Sequence, residues 1–195
     1  MLATAFLWHN YGKSTIGAKS DLENVPIERL QAFWRHFYQP DNAVLVVAGK
    51  IDETKTLALV NKYFAPIPKP TRQLRRTYTQ EPVQDGERSV TLKRVGDVQA
   101  LAVAWHVPSG SHEEFAAIEL ASMILSDAPS GRLYKALVES KKAANASAFA
   151  YQLKDPGVIM AMASVRTEQS MDDAKRTLLA TIDEIKTKPF TQEEL

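Results

Sequence analysis

The sequence contains no cysteine among its 195 residues. A chain without thiols has no disulfide framework, no thiolate nucleophile and no cysteine-based zinc finger. Its longest apolar runs, such as residues 43–48, fall far short of the ~20 residues that a helix needs to cross a bilayer. Lysine and arginine number 24 and aspartate and glutamate 23, which leaves a net charge of +1. We therefore expect neither a membrane nor nucleic acid as a partner.

The composition is that of an ordinary globular protein, with 45% hydrophobic and 24% charged residues. This balance excludes disorder, collagen and coiled coil. The first residues lack the basic region that opens a signal peptide. At the other end, Thr191-Gln192-Glu193-Glu194 fits the capping box that begins a helix, yet only Leu195 follows. These features predict a fragment, cut at both ends from a longer protein.

The first part of the chain reads as helix, strand and helix. Apolar residues at three- and four-residue spacing predict an amphipathic helix over residues 26–38. The uninterrupted apolar run at 43–48 predicts a strand covered on both faces, and a helix follows at about 53–64. Alternating prolines at Pro66, Pro68 and Pro70 then favour an extended connector. We predict a linker over residues 69–84.

The second part of the chain alternates strands and helices. We predict strands over residues 89–95, 99–107, 145–153 and 158–165, the last two forming a hairpin at Asp155-Pro156-Gly157. Alternation along 99–107 places Ala100, Ala102, Ala104 and His106 on one face, where the small side chains allow close packing. We predict helices after the capping box Ser111-His112-Glu113-Glu114, over residues 132–141, and after Ser170. The order β-β-α-α-β-β-α predicts an α+β fold, in which helices cover a mainly antiparallel or mixed sheet.

The histidines do not form a zinc-binding motif. They stand at His9, His36, His106 and His112, and no pair is three or four residues apart, so neither H-x-x-E-H nor H-E-x-x-H occurs. His106 and His112, with the neighbouring Glu113 and Glu114, could still converge across the loop between a strand and a helix. The alternative is that His106 is an ordinary strand residue and His112 a polar residue in the first turn of a helix.

Two further patterns are weak. Gly12-Lys13-Ser14-Thr15 resembles the end of a phosphate-binding loop, but Leu7 stands where that loop needs glycine. A basic cluster near Tyr78 suggests either a nucleic-acid contact or a solvated connector; its members are Lys69, Arg72, Arg75 and Arg76. Adjacent carboxylates such as Glu113-Glu114 diverge by ~100° on a helix and cannot act as one acid/base pair. The residues alone thus indicate no catalytic site.

Several segments resemble the insulinase/pitrilysin family of zinc metallopeptidases, the inverted zincins. The matching segments are His9-Asn10-Tyr11-Gly12-Lys13-Ser14-Thr15-Ile16-Gly17, Ser20-Asp21-Leu22-Glu23-Asn24-Val25, Phe37-Tyr38-Gln39-Pro40-Asp41-Asn42-Ala43 and Val46-Val47-Ala48-Gly49-Lys50-Ile51-Asp52. Later, Ser130-Gly131-Arg132-Leu133-Tyr134-Lys135-Ala136-Leu137 is similar to the family's serine-arginine-leucine helix, and Phe190-Thr191-Gln192-Glu193-Glu194-Leu195 to the start of a later helix.

The resemblance implies the two-layer α+β architecture of metallopeptidases of the LuxS/MPP type. It places residues 1–68 at the end of a first peptidase-like domain, 69–84 in a linker and 85–195 in a truncated second domain. Family members bind zinc through H-x-x-E-H and a later glutamate, all upstream of what matches Met1. The resemblance therefore implies zinc in the full-length parent, and neither metal nor catalytic residues in this chain.

One departure from the family indicates which half of the peptidase this is. The non-catalytic half binds substrate through an arginine and a tyrosine, whose positions here hold Val138 and Asn145. The chain is therefore expected to be the non-catalytic second domain of the catalytic half of a zinc-dependent metalloendopeptidase, contributing the wall of the substrate chamber. The alternative is a partner or scaffold subunit of the same fold that binds peptide or protein without cleaving it.

The resemblance also implies partners and a compartment. The expected partners are a peptide or small-protein substrate of the parent, and the remaining domains or partner half of the peptidase. Many bacterial relatives are exported, which favours a periplasmic location, with the cytoplasm as the alternative. Alone, the chain is expected to be inactive.

Overall fold

A computed structural model describes residues 1–74 and 79–195. The chain forms two compact units. The larger consists of Met1–Gly12 with Glu81–Leu195, and the smaller is Lys13–Gln80. Arg75 and Arg76 of the predicted basic cluster, and the nearby Tyr78, lie outside the described residues. The domain boundaries proposed from the sequence stay a prediction.

In the described part of the chain, four α-helices precede the first strand. The α-helices are α1 Leu2–Ala5, α2 Lys19–Asn24, α3 Ile27–Phe37, α4 Glu53–Phe64, α5 Phe115–Ser126 and α6 Met171–Asp183. The strands are β1 Val98–Val107, β2 Asn145–Ala150 and β3 Gly157–Arg166. Short 3₁₀ turns lie at Asn10–Gly12, Pro40–Asn42 and Glu184–Lys186, and a π-helical turn at Tyr134–Glu139. None of these helices is long and apolar enough to cross a bilayer.

The larger unit contains one antiparallel sheet in the order β1-β3-β2. The predicted hairpin of the last two strands is confirmed, with Ala148 of β2 opposite Ala161 of β3. On the other side of β3, Val103 of β1 also lies opposite Ala161. A small antiparallel sheet packed against helices confirms the α+β class predicted from the sequence.

One face of the sheet is buried under the helices. The core there combines side chains of the helices and of alternate strand positions; its members include Leu101, Leu125, Leu133, Leu137, Ala148, Ala161, Ala163, Val165, Ala174 and Leu178. Removing each large aliphatic side chain from water contributes about 1.5–3 kcal/mol. The helices of this core therefore cover one face of the sheet, whereas α1 and Phe6 pack at one end of the other face.

The predicted helix caps have different outcomes. Ser170 caps α6, since its Oγ accepts the Asp173 N–H at 3.2 Å. The capping box proposed for α5 is wrong, because the helix begins at Phe115 after Glu114, and Glu114 makes no side-chain cap hydrogen bond. The Ser111 hydroxyl instead lies 3.2 Å from that of Ser109. The Ser111 hydroxyl therefore contacts another side chain in the turn before the helix and does not cap α5.

Two predicted strands, 43–48 and 89–95, are also wrong. Neither forms a strand in the described part of the chain, and Val44 and Val46 are 90% and 78% exposed. A strand needs a neighbour for its backbone N–H and C=O groups, and a doubly covered one needs two packing layers. Among the described residues neither segment has such a neighbour, whatever its β-propensity.

The smaller unit consists of α2, α3 and α4 with their connections. The predicted helix at 26–38 is confirmed as α3, and the one at 53–64 as α4, whose cap Asp52 accepts the Lys55 N–H at 3.0 Å. Much of the apolar surface is exposed, including Phe33 and Trp34 of α3. Within this unit Arg72 makes two hydrogen bonds to Asp41, at 3.0 and 3.1 Å.

Candidate functional site

The second face of the sheet is the candidate site. Successive strand residues point to opposite faces, so the residues between those of the buried core share this face. One end of it is covered by Phe6, which packs with Val158 and Met160. Beyond this end lies the part that we call the open sheet face, formed by Ala100, Ala102, Asn145, Ser147, Met162 and Ser164. All six side chains are uncharged, Ala100 and Asn145 are exposed, and the other four are half-buried. On the same face, the exposed pair Val98 and Arg166 follows at the far end of β1 and β3.

A carboxylate holds the segment that covers the end of this face. Glu81 accepts the N–H groups of Leu7, Trp8 and His9 at 2.7, 2.9 and 2.9 Å. Partial burial of Glu81 acts to raise the pKa of its carboxyl, but these three hydrogen bonds and the charge of Arg88 outweigh it and leave the pKa below its usual value. Glu81 is therefore ionised at neutral pH.

A guanidinium and an imidazole hold the other side of the same segment. Arg88 donates to the carbonyl oxygens of Thr4 and Ala5, at 3.2 and 3.0 Å, and lies 3.7 Å from the Glu81 carboxylate. The Nε2 atom of His106 lies 3.0 Å from the Ala5 carbonyl oxygen. The predicted small-residue face of β1 thus has a use, because Ala104 packs in the cluster that Phe6 fills.

An aromatic cluster completes the covered end. The Phe6 ring meets those of His106 and Tyr11 edge-on, with centroids 5.0 and 5.7 Å apart. The Tyr11 hydroxyl accepts the Asp155 N–H at 3.1 Å, and His9 Nε2 lies 3.5 Å from the Asp155 carboxylate. Nothing in the local sequence predicted this cluster, since its contacts with β1 and with the loop between β2 and β3 join residues 100 or more positions apart.

The histidines do not form a metal site. Among the described residues no three histidine, aspartate or glutamate side chains are placed to hold a metal ion. His106 faces the Ala5 carbonyl, whereas His112 Nδ1 accepts the Glu114 N–H at 3.2 Å. Zinc needs three protein ligands converging on one point. The described residues therefore do not fit a zinc ion, and the structure gives no support to a metal at His106 and His112.

Arg132, the arginine of the serine-arginine-leucine motif, binds the last residues of the chain. Arg132 donates two hydrogen bonds to the Glu194 carboxylate, at 2.7 and 2.8 Å. Its guanidinium also lies 4.7 Å from the centre of the Phe190 ring. These bonds, together with the Thr191 N–H, lower the pKa of Glu194 to about 2. The Arg132 guanidinium is occupied by this structural role.

Comparison with known proteins identifies the family. The model of the peptidase M16 inactive domain matches residues 24–195. This chain belongs to that family. The zinc protease PqqE of Helicobacter pylori is 28% identical over 196 residues, covering 98% of this chain and 44% of that protein. The M16 inactive domain described here thus spans less than half the length of this relative, and the resemblance to zinc metallopeptidases is confirmed.

Solved structures agree with this assignment. The crystal structure of a protease from Helicobacter pylori is 27% identical and superposes with a TM-score of 0.93 over 99% of this chain and 48% of that one. The structure of a peptidase M16 inactive domain from Pseudomonas fluorescens, 17% identical, has a TM-score of 0.82 over 99% of this chain and 46% of that one. The second likeness shows the fold alone.

In this M16 inactive domain, the two positions aligned with the family's arginine and tyrosine lie in regular secondary structure. Val138 is half-buried in the π-helical turn Tyr134–Glu139. Asn145 is exposed at the start of β2, on the open sheet face opposite Ser164. The alignment that assigns these positions stays a prediction, but it places Asn145 on the candidate surface.

Proposed function

We propose that this chain is the non-catalytic second domain of the catalytic half of an M16 zinc peptidase, and that its open sheet face forms part of the wall of the substrate chamber. The observation that carries the proposal is the chemistry of this face. Its six side chains are small or uncharged, and the helices of the buried core lie on the opposite side of the sheet. A peptide lying on these six side chains meets no fixed charge before it reaches Arg166 at the end of β3.

The side chains at two positions support the assignment to the catalytic half. A subunit that grips substrate needs hydrogen-bond donors or a charge aimed at the peptide carbonyl. Val138 offers an aliphatic side chain, and Asn145 an uncharged amide. A domain with this pair relies on the rest of the protein for binding the scissile peptide.

Zinc and the general base belong to the remainder of the longer protein under this proposal. Bound there, zinc would activate the water that attacks the peptide bond. The described residues of this chain supply no ligand set for it. They contribute the surface that confines the peptide and support for the neighbouring domain.

The experiment uses the longer protein that contains this chain. Ala100→Arg and Asn145→Arg each place a large cation on the open sheet face, at positions that are already exposed. We expect each to lower kcat/KM for peptide hydrolysis by about tenfold, equivalent to ~1.4 kcal/mol in transition-state binding. Thr187→Arg is the control, because Thr187 is exposed just beyond α6, in the helix layer.

Three results would count against the proposal. Open-face variants that match Thr187→Arg in kcat/KM would remove the open sheet face from the chamber. A longer protein that binds peptide but never cleaves it would favour the scaffold subunit instead. Cleavage by the 195-residue chain alone, abolished by a chelator, would place catalysis in the chain itself.

A further inference from the structure

The chain leaves the larger unit after Gly12 and returns to it at Glu81. The side chain at the point of return binds the backbone just before the point of departure, through the three N–H bonds from residues 7–9. Hydrogen bonds to an ionised acceptor are among the stronger ones in proteins. One carboxylate therefore holds the two crossing points together.

The charges around this backbone turn are complementary. Its carbonyl oxygens, at Thr4 and Ala5, face the Arg88 guanidinium, and its N–H groups face the Glu81 carboxylate. The side chains of Leu7 and Trp8 are exposed and take no part. An ion pair, Glu81 with Arg88, thus binds the backbone of this turn. We call these two residues the clasp.

Two close contacts also hold Tyr11 and Gly12, where the chain leaves the larger unit. A Cβ atom at Gly12 would collide with the carbonyl oxygen of Phe6, so glycine allows the chain to approach this closely. The Tyr11 hydroxyl accepts the N–H of Asp155 in the loop between β2 and β3. The segment is therefore fixed up to the residue at which it leaves the unit.

We propose that Glu81 is a positioning residue for peptide hydrolysis by the longer protein. Through the clasp it fixes the two points of the larger unit at which the chain leaves and returns, and it acts on catalysis through this ordered support without touching substrate. The inference rests on the proposed function for its catalytic part. Small displacements of supporting elements are costly to catalysis, because reacting groups need close alignment.

The first measurement is amide hydrogen exchange on the 195-residue chain. Glu81→Gln puts an amide NH₂ where a carboxylate oxygen accepted N–H groups, and it removes the charge opposite Arg88. We expect exchange at residues 7–9 to become about ten- to a hundredfold faster. Glu87→Gln makes the same chemical change at an exposed position whose side chain has no hydrogen bond within the described residues, and it should leave exchange unchanged.

The second measurement is peptide hydrolysis by the longer protein carrying the same variants. We expect Glu81→Gln to lower kcat about tenfold, with KM and zinc content kept, whereas a chain that simply unfolds would lose all three. Arg88→Gln keeps the carboxylate and serves as the second variant if Glu81→Gln does not fold; it should speed exchange at residues 4–9 to a smaller degree.

The outcomes separate the clasp from the proposed function. Unchanged exchange in Glu81→Gln would overturn the clasp. Faster exchange with unchanged hydrolysis would overturn the positioning role. A wild-type longer protein that hydrolyses no peptide would overturn that role and the proposed function together, while the exchange data would still decide the clasp.

Discussion

The Arg132 guanidinium and the Glu194 carboxylate form a two-point ion pair across 62 residues of sequence, with N–O distances of 2.7 and 2.8 Å. The same guanidinium donates to the carbonyl oxygens of Lys188 and Pro189, at 2.8 and 3.0 Å. A planar fork with several donors is needed to make all four bonds at once. The arginine of the serine-arginine-leucine motif thus holds the segment after α6 in place through these hydrogen bonds.

Replacing this arginine by lysine should destabilise the larger unit. Lysine keeps the charge but cannot make the paired hydrogen bonds, so we expect Arg132→Lys to lower the thermal unfolding midpoint by about 3–6 °C. Arg176→Lys is the matched control, because Arg176 is mostly exposed and makes only a 3.4 Å contact with Asp173. Equal shifts in the two variants would show that the pair with Glu194 contributes little in solution.

Stability should fall in acid, and Glu194 should account for part of the fall. Its pKa is about 2 in the folded chain against a usual value of 4.5, so the carboxylate stabilises the fold above about pH 4.5. This contribution is lost as the pH falls from 4.5 towards 2. Glu81 and Asp173 act in the same direction, since the pKa of each is also lowered.

The measurement is urea unfolding between pH 7 and pH 3. We expect Glu194→Gln to be less stable than the wild type at pH 7 and to approach it as the pH falls, because the variant has no proton to gain there. Parallel curves for the two proteins at all pH values would contradict the assignment.

Glycine 131 should not tolerate a side chain. A Cβ there would lie 2.7 Å from the backbone N and O of Asp127 and 2.9 Å from the Leu125 oxygen, none of which can easily move. We expect Gly131→Ala to cost about 1–3 kcal/mol of unfolding free energy, measured in urea. Gly96→Ala has open space around it and should change stability by less than about 1 kcal/mol. A similar loss in both variants would show that the crowding around Gly131 is not the cause.

Local patterns predicted the elements whose stability is local. The α3 and α4 helices, the hairpin of β2 and β3, and the Ser170 cap depend on spacing, turn residues or a hydroxyl next to its partner. The strand at 43–48 and the cap at Ser111 failed, since the first needs a distant neighbour and the second had a competing turn. Pattern alone cannot supply either condition.

The candidate site was predictable only in part. Asn145 was singled out by resemblance, and the alternation along β1 indicated that its alanine face packs closely. Glu81 carried no signal, because it stands in a connector and its partners are backbone groups 72 to 74 residues away. Because Glu81 binds backbone groups, no pattern of side chains in the sequence marks its partners. The clasp could therefore be found only in the structure.

Among the side chains of the covering segment, Phe6 should contribute strongly to stability and its neighbour Leu7 should not. The Phe6 side chain is 3% exposed and packs with Val158 and Met160, whereas its neighbour Leu7 is 65% exposed. Truncating a buried phenylalanine lowers the free energy of unfolding by about 3–5 kcal/mol. Truncating an exposed residue changes it by less than about 0.5 kcal/mol. We therefore expect Phe6→Ala, but not Leu7→Ala, to lower the urea midpoint of the larger unit. If both variants matched the wild type, residues 1–12 would be detached from the sheet in solution, and the end of the sheet face that they cover here would be open as well.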